Sequence, residues 1–451
     1  MSRTNLLEAT KSQDEGQDAG TIPAPRTVQG TGLPFLFVAQ LVCKIFFHTG
    51  PQRLADLATR AKLPPGVLDP VIDFLRRERL IEVTSSSTGM NLVFALTDLG
   101  RERAGEYLRT CQYVGPAPVS LEAYGAQVRG QTIVDLTVTR EAMRDAFSGI
   151  VIREAILDQF GAAMNSGRAI FVYGPAGSGK TFLAGKLARL LQGNVHVPYA
   201  ILVENQVIQV FDPLSHVRVE TLSAEVELLA QGKSSDPRWV LCRRPVVVAG
   251  GELTLGMLDL RFDEGTRFYA APPQLKANNG LFIIDDLGRQ LVQAKDLMNR
   301  WIVPLDRRVD FLALHTGEKF IVPFDVTVVF CTNLSPADLA DEAFLRRLGY
   351  KIPMGALDET QYRAVCKQVC QSFELPYVDQ AVDYLLARFK REGRPLLACT
   401  PRDLLGQVRD QARYRGLPPK LSRDLVDWAW DNYFVSENGN AINSAVKGAQ
   451  P

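Results

Sequence analysis

The residues with the clearest chemistry are glycines, a lysine and a threonine at a fixed spacing. They read Gly174-Pro175-Ala176-Gly177-Ser178-Gly179-Lys180-Thr181 and match G-x-x-x-x-G-K-[ST]. The glycines let successive backbone N–H groups point inward around a phosphate, Lys180 can reach the β- and γ-phosphates, and Thr181 offers a hydroxyl to Mg²⁺. A Gly-rich turn with an incidental lysine is the alternative, but a strand is predicted before the loop and a helix after it. We therefore predict that this loop, with Phe182 beside it, binds MgATP.

Two acids about a hundred residues further on provide a second candidate. The apolar run 281–284 is followed directly by Asp285 and Asp286. A single acid after a strand is explained as a helix cap, but two acids at the end of an uninterrupted apolar strand favour a role at a metal. Asp285 is predicted to hold Mg²⁺ through the ion's water shell, together with the Thr181 hydroxyl.

The elements that must position these residues are buried strands flanked by helices. Apolar runs at 169–173, 246–249, 280–284 and 326–331 predict parallel strands that are buried on both faces. Helices are predicted at 140–147, 153–166 and 181–191 around the loop. From about residue 358 onward the chain is predicted to be mostly helical, with segments 361–373, 378–391, 401–414 and 422–433.

The order of these motifs resembles the AAA+ ATPase family over roughly residues 134–433. Asn333 follows the strand 326–331, as the sensor-one residue of that family does. By the same resemblance Arg347 would be an arginine finger that reaches the neighbouring subunit's γ-phosphate, with Arg346 the second choice. Arg402, in the segment that begins Thr400-Pro401, would be the sensor-two residue of a helical lid.

The family resemblance implies a ring-shaped homo-oligomer, with a hexamer the expected size. One departure concerns the second acid, because the family usually has Glu where this chain has Asp286. A general base must first come within hydrogen-bond reach of the attacking water, and the shorter aspartate carboxylate would act through a repositioned water. We therefore predict slow hydrolysis, whereas ATP binding is expected to be unaffected. Upstream, residues 271–280 resemble the approach to this strand in MoxR-type and helix-two-insert AAA+ proteins.

An N-terminal region resembles a winged helix-turn-helix domain. Helices are predicted at 34–48, 52–62, 65–78 and 98–109, strands at 80–84 and 92–96, and a wing tip at 85–90. The segment that would read DNA contains Asp69 and Asp73 among apolar residues, which favours protein docking over a phosphate-lined groove. Duplex DNA is the alternative partner, because three arginines further along supply positive charge: Arg76, Arg77 and Arg79.

Composition narrows the class of protein. The 451 residues carry a net charge of +1, which excludes a global field that attracts nucleic acid or anionic membranes. Seven scattered cysteines without a C-x-x-C pair predict a reducing compartment and no structural zinc, and Cys366 and Cys370 are interpreted as buried apolar residues. The first thirty residues lack the apolar stretch of a signal peptide, and no apolar run reaches the length of a membrane span.

A long stretch between the loop and the acidic strand is interpreted as an insert. Residues 200–211 are strand-like, and Arg238, Arg243 and Arg244 cluster before residue 246. Arginines here could meet an acidic partner or nucleic acid, but a solvated face with local ion pairs is the commoner explanation and is the one we predict. The insert is expected to be a hairpin and a helix that face the pore or the top of a ring.

The sequence therefore predicts an α/β fold with a P-loop AAA+ core, a C-terminal helical lid and a preceding α+β winged helix-turn-helix domain. The expected boundaries are a disordered tail at 1–31, the winged helix at 32–112, a linker at 113–134, the core at 135–353, the lid at 354–436 and a tail at 437–451. The expected function is that of a cytoplasmic ATPase that remodels or assembles a protein client. A DNA-associated ATPase and a slow-turnover, nucleotide-dependent polymer are the alternatives.

Overall fold

The computed structural model describes residues 20–85, 92–219, 235–339, 342–418 and 420–434, and its helices and strands are numbered here in chain order. The N-terminal unit is helical with a small sheet. Its elements are α1 (Phe35–Thr49), β1 (Gln52–Arg53), α2 (Leu54–Ala61), α3 (Pro65–Arg77), β2 (Ile81–Ser85), β3 (Val93–Leu96) and α4 (Asp98–Thr110). The strands form an antiparallel sheet in the order β1-β3-β2. The four helices and two strands predicted for residues 34–109 are present, but residues 52–53, predicted as the start of a helix, form the additional strand β1. Most of the predicted wing tip lies outside the described residues.

Local sequence explains how this unit is held together. α3 buries Val67, Leu68, Val71, Ile72 and Leu75, the spacing of one helical face. α4 begins at the Thr97 cap, whose side chain accepts a hydrogen bond from the Gly100 amide. A Cβ at Gly100 would lie 1.9 Å from the Leu80 carbonyl oxygen, so only glycine lets α4 approach β2 this closely.

The middle of the chain contains the remaining strands. Its elements are β4 (Val119–Ser120), α5 (Leu121–Gly130), α6 (Arg140–Ala146), α7 (Glu154–Ser166), β5 (Ala169–Tyr173), α8 (Lys180–Lys186), β6 (Asn194–Pro198), β7 (Ala200–Val203), β8 (Gln206–Gln209), β9 (Trp239–Arg243), β10 (Val246–Ala249), β11 (Arg261–Asp263), β12 (Phe268–Ala270), α9 (Pro273–Lys276), β13 (Gly280–Ile284), α10 (Ala294–Arg300), α11 (Ile302–Arg307), β14 (Val309–Ala313), β15 (Lys319–Pro323), β16 (Val326–Thr332), α12 (Pro336–Leu339), α13 (Glu342–Leu345) and β17 (Leu348–Pro353). The C-terminal unit contains α14 (Glu359–Ser372), α15 (Asp379–Arg391), α16 (Thr400–Tyr414) and α17 (Arg423–Tyr433).

A five-stranded parallel sheet forms the core, in the order β10-β13-β16-β5-β17. Every residue of β13 and β16 is buried, as expected when helices cover both faces of a sheet. Alternate residues face opposite sides, so Leu281 and Ile283 join one apolar cluster while Phe282 and Ile284 join the other. The predicted α/β core with buried parallel strands is confirmed.

The helix after the loop is shorter than predicted. A single helix is predicted over 181–191, whereas α8 ends at Lys186 and a 3₁₀ helix follows at Leu187–Leu190. The tighter turn places side chains three residues apart on the same side, and Leu187 and Leu190 are both buried in the core. Packing against the sheet therefore overrides the regular helical period.

The insert packs against the N-terminal unit. β11, β12, β8, β7 and β4 form a second sheet, and the β7–β8 pair is the predicted hairpin. Ala200, Leu202 and Val207 belong to the same apolar cluster as α1–α4. The segment assigned to a linker, 113–134, contributes β4 to this sheet and forms α5. Residues 220–234, where part of the insert lies, are outside the described residues.

Part of the N-terminal segment assigned to a tail is packed. Residues 1–19 and 435–451 are outside the described residues. Val28 and Thr31, however, are buried, and the Asp236 amide donates to the Ile22 carbonyl oxygen at 2.8 Å. The structure thus differs from the prediction over residues 20–31, because these residues cover apolar surface and satisfy backbone groups of the insert.

The solvated face predicted for the insert arginines is wrong for two of the three. Arg238 is 4% exposed and donates to both carboxylate oxygens of Asp236, with Nη2 to Oδ2 at 2.8 Å. Its Nη1 also donates to the Thr31 and Pro118 carbonyls at 2.9 and 3.2 Å. The Arg244 Nη1 donates to the Gln131 and Asn279 carbonyls, and burial lowers the pKa of this guanidinium.

Cys366 and Cys370 are 0% and 1% exposed in the C-terminal unit, which confirms their interpretation as buried apolar residues. Over the described part of the chain, the helices are all too short or too polar to span a bilayer.

We expect Arg238→Ala to destabilise the fold by about 3–5 kcal/mol, because the variant leaves the Asp236 carboxylate buried without its partner. Urea unfolding followed by tryptophan fluorescence measures the effect. Arg103→Ala is the control, since Arg103 pairs with Glu106 on an exposed helix face and this change should cost only about 0–1 kcal/mol. Equal losses of unfolding free energy in the two variants would show that the buried Arg238–Asp236 pair contributes no more to stability than an exposed pair does.

Candidate nucleotide site

The loop with the G-x-x-x-x-G-K-[ST] spacing joins the end of β5 to the start of α8. A Cβ at Gly174 would lie 1.9 Å from the Met354 carbonyl oxygen, so the first loop position admits only glycine. Gly177 and Gly179 have φ of 80° and 89°, in the left-handed region that favours glycine. The motif's glycines are therefore required by backbone geometry, and the strand–loop–helix context predicted for them is present.

The Lys180 ammonium is held by oxygens at the end of the core sheet. Its Nζ donates to the Gly174 and Pro175 carbonyls, both at 2.9 Å, and to the Asn333 Oδ1 at 2.6 Å. Burial lowers the pKa of Lys180, while the nearby carboxylates of Asp285 and Asp286 oppose this shift. The structure thus brings Lys180 and Asn333, 153 residues apart, into direct contact.

The two predicted magnesium ligands are also in contact. The Thr181 Oγ1 donates to the Asp285 Oδ1 at 2.6 Å, and the Asp285 amide donates to the Ala249 carbonyl at 2.7 Å. A hydroxyl beside a carboxylate is the oxygen donor set that fits Mg²⁺, which takes one or two protein ligands and keeps water and phosphate oxygens for the rest. These residues would hold the ion between the loop and β13.

Asp286 lies on a strained turn next to these groups. Its φ is 49°, a left-handed conformation that aspartate tolerates better than most residues. Its side chain is 47% exposed and its Oδ2 lies 3.9 Å from Nη1 of Arg289. The turn is anchored to β16, because the Leu287 amide donates to the Cys331 carbonyl and the Thr332 hydroxyl donates to the Leu287 carbonyl.

Gln290 supports the same turn and was not identified from the sequence. Its Nε2 donates to the Asp285 carbonyl at 3.1 Å and to the Gly250 carbonyl at 3.3 Å, while its Oε1 accepts from the Gly288 amide at 2.8 Å. One buried side chain therefore joins the ends of β10 and β13 to the turn between Asp285 and α10. A lone Gln in an irregular segment gives no signal for such a role.

The C-terminal unit contacts the loop through its backbone. The Cys399 amide donates to the Gly177 carbonyl at 3.0 Å, and the side chains of Leu397 and Ala398 lie near the glycines of the loop. Arg402 lies three residues further along, near the start of α16. Its side chain is exposed, and none of the described residues pairs with it.

The other predicted residues lie away from these contacts or at the edge of the loop. Nε of Arg347 donates to the Asp306 Oδ2 of α11 at 2.6 Å, and Arg346 beside it is exposed. The Phe182 ring, 38% exposed, lies under the Lys186 ammonium at 5.0 Å from the ring centre. The structure therefore groups residues 174–181 with Asp285, Asp286 and Asn333 and gives Arg347 a partner in its own chain.

One segment of the chain matches a family model, and part of the chain resembles solved structures. Residues 358–432 match a family described as a domain of unknown function, DUF8689. Among the curated proteins, no sequence matches this chain. The solved structures that resemble it include a mutant of RuvB from Thermotoga maritima, at 13% identity and a TM-score of 0.35 over 65% of this chain and 70% of that one. NtrX from Brucella abortus is similar at 13% identity and a TM-score of 0.40 over 68% and 60%. At these TM-scores neither similarity establishes a shared fold or function.

We expect Gln290→Glu to weaken the Mg²⁺-dependent part of ATP affinity by about tenfold or more, because the loss of a group that positions a metal ligand commonly lowers metal affinity to this extent. The carboxylate keeps the size of the side chain and can accept from the Gly288 amide, but it cannot donate to the Asp285 carbonyl. Calorimetric titration with ATP, in Mg²⁺ and in a chelator, measures the effect. An equal loss in both buffers, or a lowered melting temperature, would point to general damage instead.

Proposed function

We propose that the chain is a cytoplasmic, Mg²⁺-dependent ATPase of the AAA+ type that works as a homo-oligomeric ring, expected to be a hexamer, and remodels a protein client. The observation that carries the proposal is the pair of contacts at one sheet edge, Lys180 with Asn333 and Thr181 with Asp285. Phosphate-binding, metal-binding and water-orienting groups are what phosphoryl transfer to water requires.

In this proposal the loop 174–181 holds the triphosphate, and Lys180 exchanges a backbone carbonyl for the β- and γ-phosphate oxygens. Mg²⁺, when bound by Thr181 and Asp285, neutralises charge on those oxygens. Asn333 orients a water molecule against the γ-phosphorus, and Asp286 accepts the proton that this water loses. The bond from the γ-phosphorus to the bridging oxygen breaks, so that ADP and phosphate leave.

The N-terminal unit is proposed to be a winged helix that docks protein. Its four helices and small antiparallel sheet support this assignment. Asp69 and Asp73 are exposed on α3, the helix that would enter a DNA groove, and their charge opposes contact with phosphates. Its core is continuous with β7 and β8 of the insert, which supports transmission of force between the docked client and the ATPase core.

The C-terminal helices are proposed to be the lid of the nucleotide site. The hydrogen bond from the Cys399 amide to the Gly177 carbonyl supports this role, because a change in the loop would change the position of α16. In the proposal Arg402 contacts the γ-phosphate, and this contact stabilises one orientation of the C-terminal helices relative to the core. After hydrolysis the contact is lost and the helices can take another orientation.

The proposed general base predicts a gain of function. We expect Asp286→Glu to raise kcat about tenfold, because one more methylene brings the carboxylate closer to the water. Asp286→Asn is the matched control, since asparagine keeps the length and tolerates the left-handed backbone, and it should lower kcat about 10²-fold. Steady-state phosphate release measures both. Equal turnover in all three proteins would exclude Asp286 as the base.

The proposed finger is tested by mixing subunits. Alone, Lys180→Ala abolishes nucleotide binding, and Arg347→Ala lowers turnover by about 10³-fold because the γ-phosphate loses a charge supplied by the neighbour. Mixed together, they should regain activity, since each Lys180→Ala subunit still donates an intact Arg347. Turnover is measured against the mixing ratio, with ring mass followed by light scattering. Rings of normal mass that stay inactive would show that Arg347 does not act between subunits.

A further inference from the structure

One arginine at the edge of the nucleotide site is held only loosely. Arg289 lies in the turn that follows β13, and its side chain is 63% exposed. Its Nη1 is 3.9 Å from the Asp286 Oδ2, a distance too long for a hydrogen bond. Within the described part of the chain, the guanidinium has no other carboxylate partner. It is therefore free to turn toward a stronger anion.

The backbone that carries this side chain is fixed. The Arg289 amide donates to the Asp286 carbonyl at 2.9 Å, which closes a tight turn. Inside the turn, Leu287 is hydrogen-bonded to β16 through both its amide and its carbonyl. The Gly288 amide donates to the Gln290 Oε1 at 2.8 Å. The turn thus holds the Arg289 backbone beside the ends of β13 and β16, while the long side chain can take several orientations.

The charge of Arg289 acts on the lysine of the phosphate-binding loop. Burial is the main cause of the lowered pKa of Lys180, and the positive charge of Arg289 is a smaller cause that acts in the same direction. The two cations therefore repel each other across the site. An anion that binds close to both removes this repulsion, so the arrangement favours a phosphate within reach of Lys180 and Arg289 together.

The Arg289 guanidinium can reach the γ-phosphate by side-chain rotation alone. In the proposed reaction the Asp286 carboxylate lies about 3 Å from the attacking water, and that water lies about 3–3.5 Å from the γ-phosphorus. The guanidinium is 3.9 Å from the same carboxylate. Leaving Asp286 costs little, because exposed ion pairs contribute little to stability. Arginine and phosphate, in contrast, form strong paired N–H···O bonds.

We propose that Arg289 is a catalytic residue that acts within its own subunit. Its guanidinium leaves Asp286 for the γ-phosphate oxygens and stabilises the negative charge on them in the transition state. Arg289 stays protonated throughout, and its departure leaves the Asp286 carboxylate free to take the proton of the attacking water. The inference rests on the proposed function, since it names a further residue for that reaction. Arg347, in contrast, would act from the neighbouring subunit.

Turnover and affinity of the full-length chain test the γ-phosphate contact. Arg289→Ala should lower kcat about 10²-fold, because the transition state loses a positive charge. The Kd of the β,γ-imido analogue of ATP, measured by calorimetry in Mg²⁺, should rise about tenfold, as expected for the loss of one charged hydrogen bond. The Kd of ADP should stay unchanged, since ADP has no γ-phosphate. Arg289→Lys should restore part of kcat, because lysine keeps the charge but not the paired bonds.

Two further measurements control for the loss of a surface charge and for the subunit that supplies it. Lys295→Ala removes an exposed cation from the nearby helix α10 and should leave kcat unchanged. In mixed rings, Arg289→Ala with Lys180→Ala should stay inactive, because each subunit that binds ATP lacks its own Arg289. The mixture of Arg347→Ala with Lys180→Ala should regain activity under the same conditions, with ring mass followed by light scattering.

The role of Arg289 is refuted if Arg289→Ala turns over ATP as fast as the native chain. A raised kcat would refute it too, and would show that the guanidinium only restrains Asp286. Recovery of activity on mixing with Lys180→Ala would place the residue at the neighbour's nucleotide, and equal losses of ADP and analogue affinity would show a structural role. A native chain that hydrolyses no ATP, yet needs Arg289 to prefer the analogue over ADP, would refute the proposed ATPase and keep the γ-phosphate contact.

Discussion

The register of three parallel strands is the constraint on which the site depends. Thr332 at the end of β16 pairs with Tyr173 at the end of β5, so that Asn333 and Gly174 follow at the same height. On the other side Ile284 pairs with Phe330, which places Asp285 beside them. A shift of one residue in any of these strands would turn its side chains to the opposite face. Full burial of β13 and β16 on both faces makes that shift costly, and the strands thereby fix the spacing between the loop 174–181, Asp285 and Asn333.

The opposite end of the same strands is held by a buried polar network. Asn278 and Asn279 donate to Tyr124, Val128 and Asp325, and Gln131 donates to Asn279. Asn279 has a φ of 63°, and a Cβ at Gly280 would lie 2.0 Å from the Pro245 carbonyl oxygen. The pair Asn279-Gly280 at the start of β13 is thus a backbone requirement. It lets α5 pack against the strand starts with every carboxylate oxygen of Asp325 satisfied.

The sequence predicts well those features that are encoded locally. The loop 174–181, the acids after β13 and the helical order of the two terminal regions follow from short-range spacing, and the structure places them as expected. The roles of Gln290 and Arg238 cannot be predicted from the sequence, because only the tertiary fold brings their partners to them. Gln290 contacts the ends of two strands, and Arg238 contacts Thr31, which is distant in the sequence. The solvated face assigned to Arg238 fails for the same reason. Charged side chains are mostly exposed, so an arginine is predicted to be exposed unless a buried partner is known. The sequence does not show that Asp236, two residues away, is buried together with Arg238.

The link between the loop and the C-terminal unit shows why a backbone contact can matter more than a side chain. The Cys399 amide donates to the Gly177 carbonyl, and a Cβ at Gly177 would lie 2.4 Å from the Cys399 sulfur. The loop at Gly177 and the segment at Cys399 are therefore in such close contact that neither can move independently of the other. If the loop changes shape around a phosphate, the Gly177 carbonyl moves and α16 must follow or lose its hydrogen bond. This coupling needs no charge and no particular side chain, so it would persist even where Arg402 is replaced.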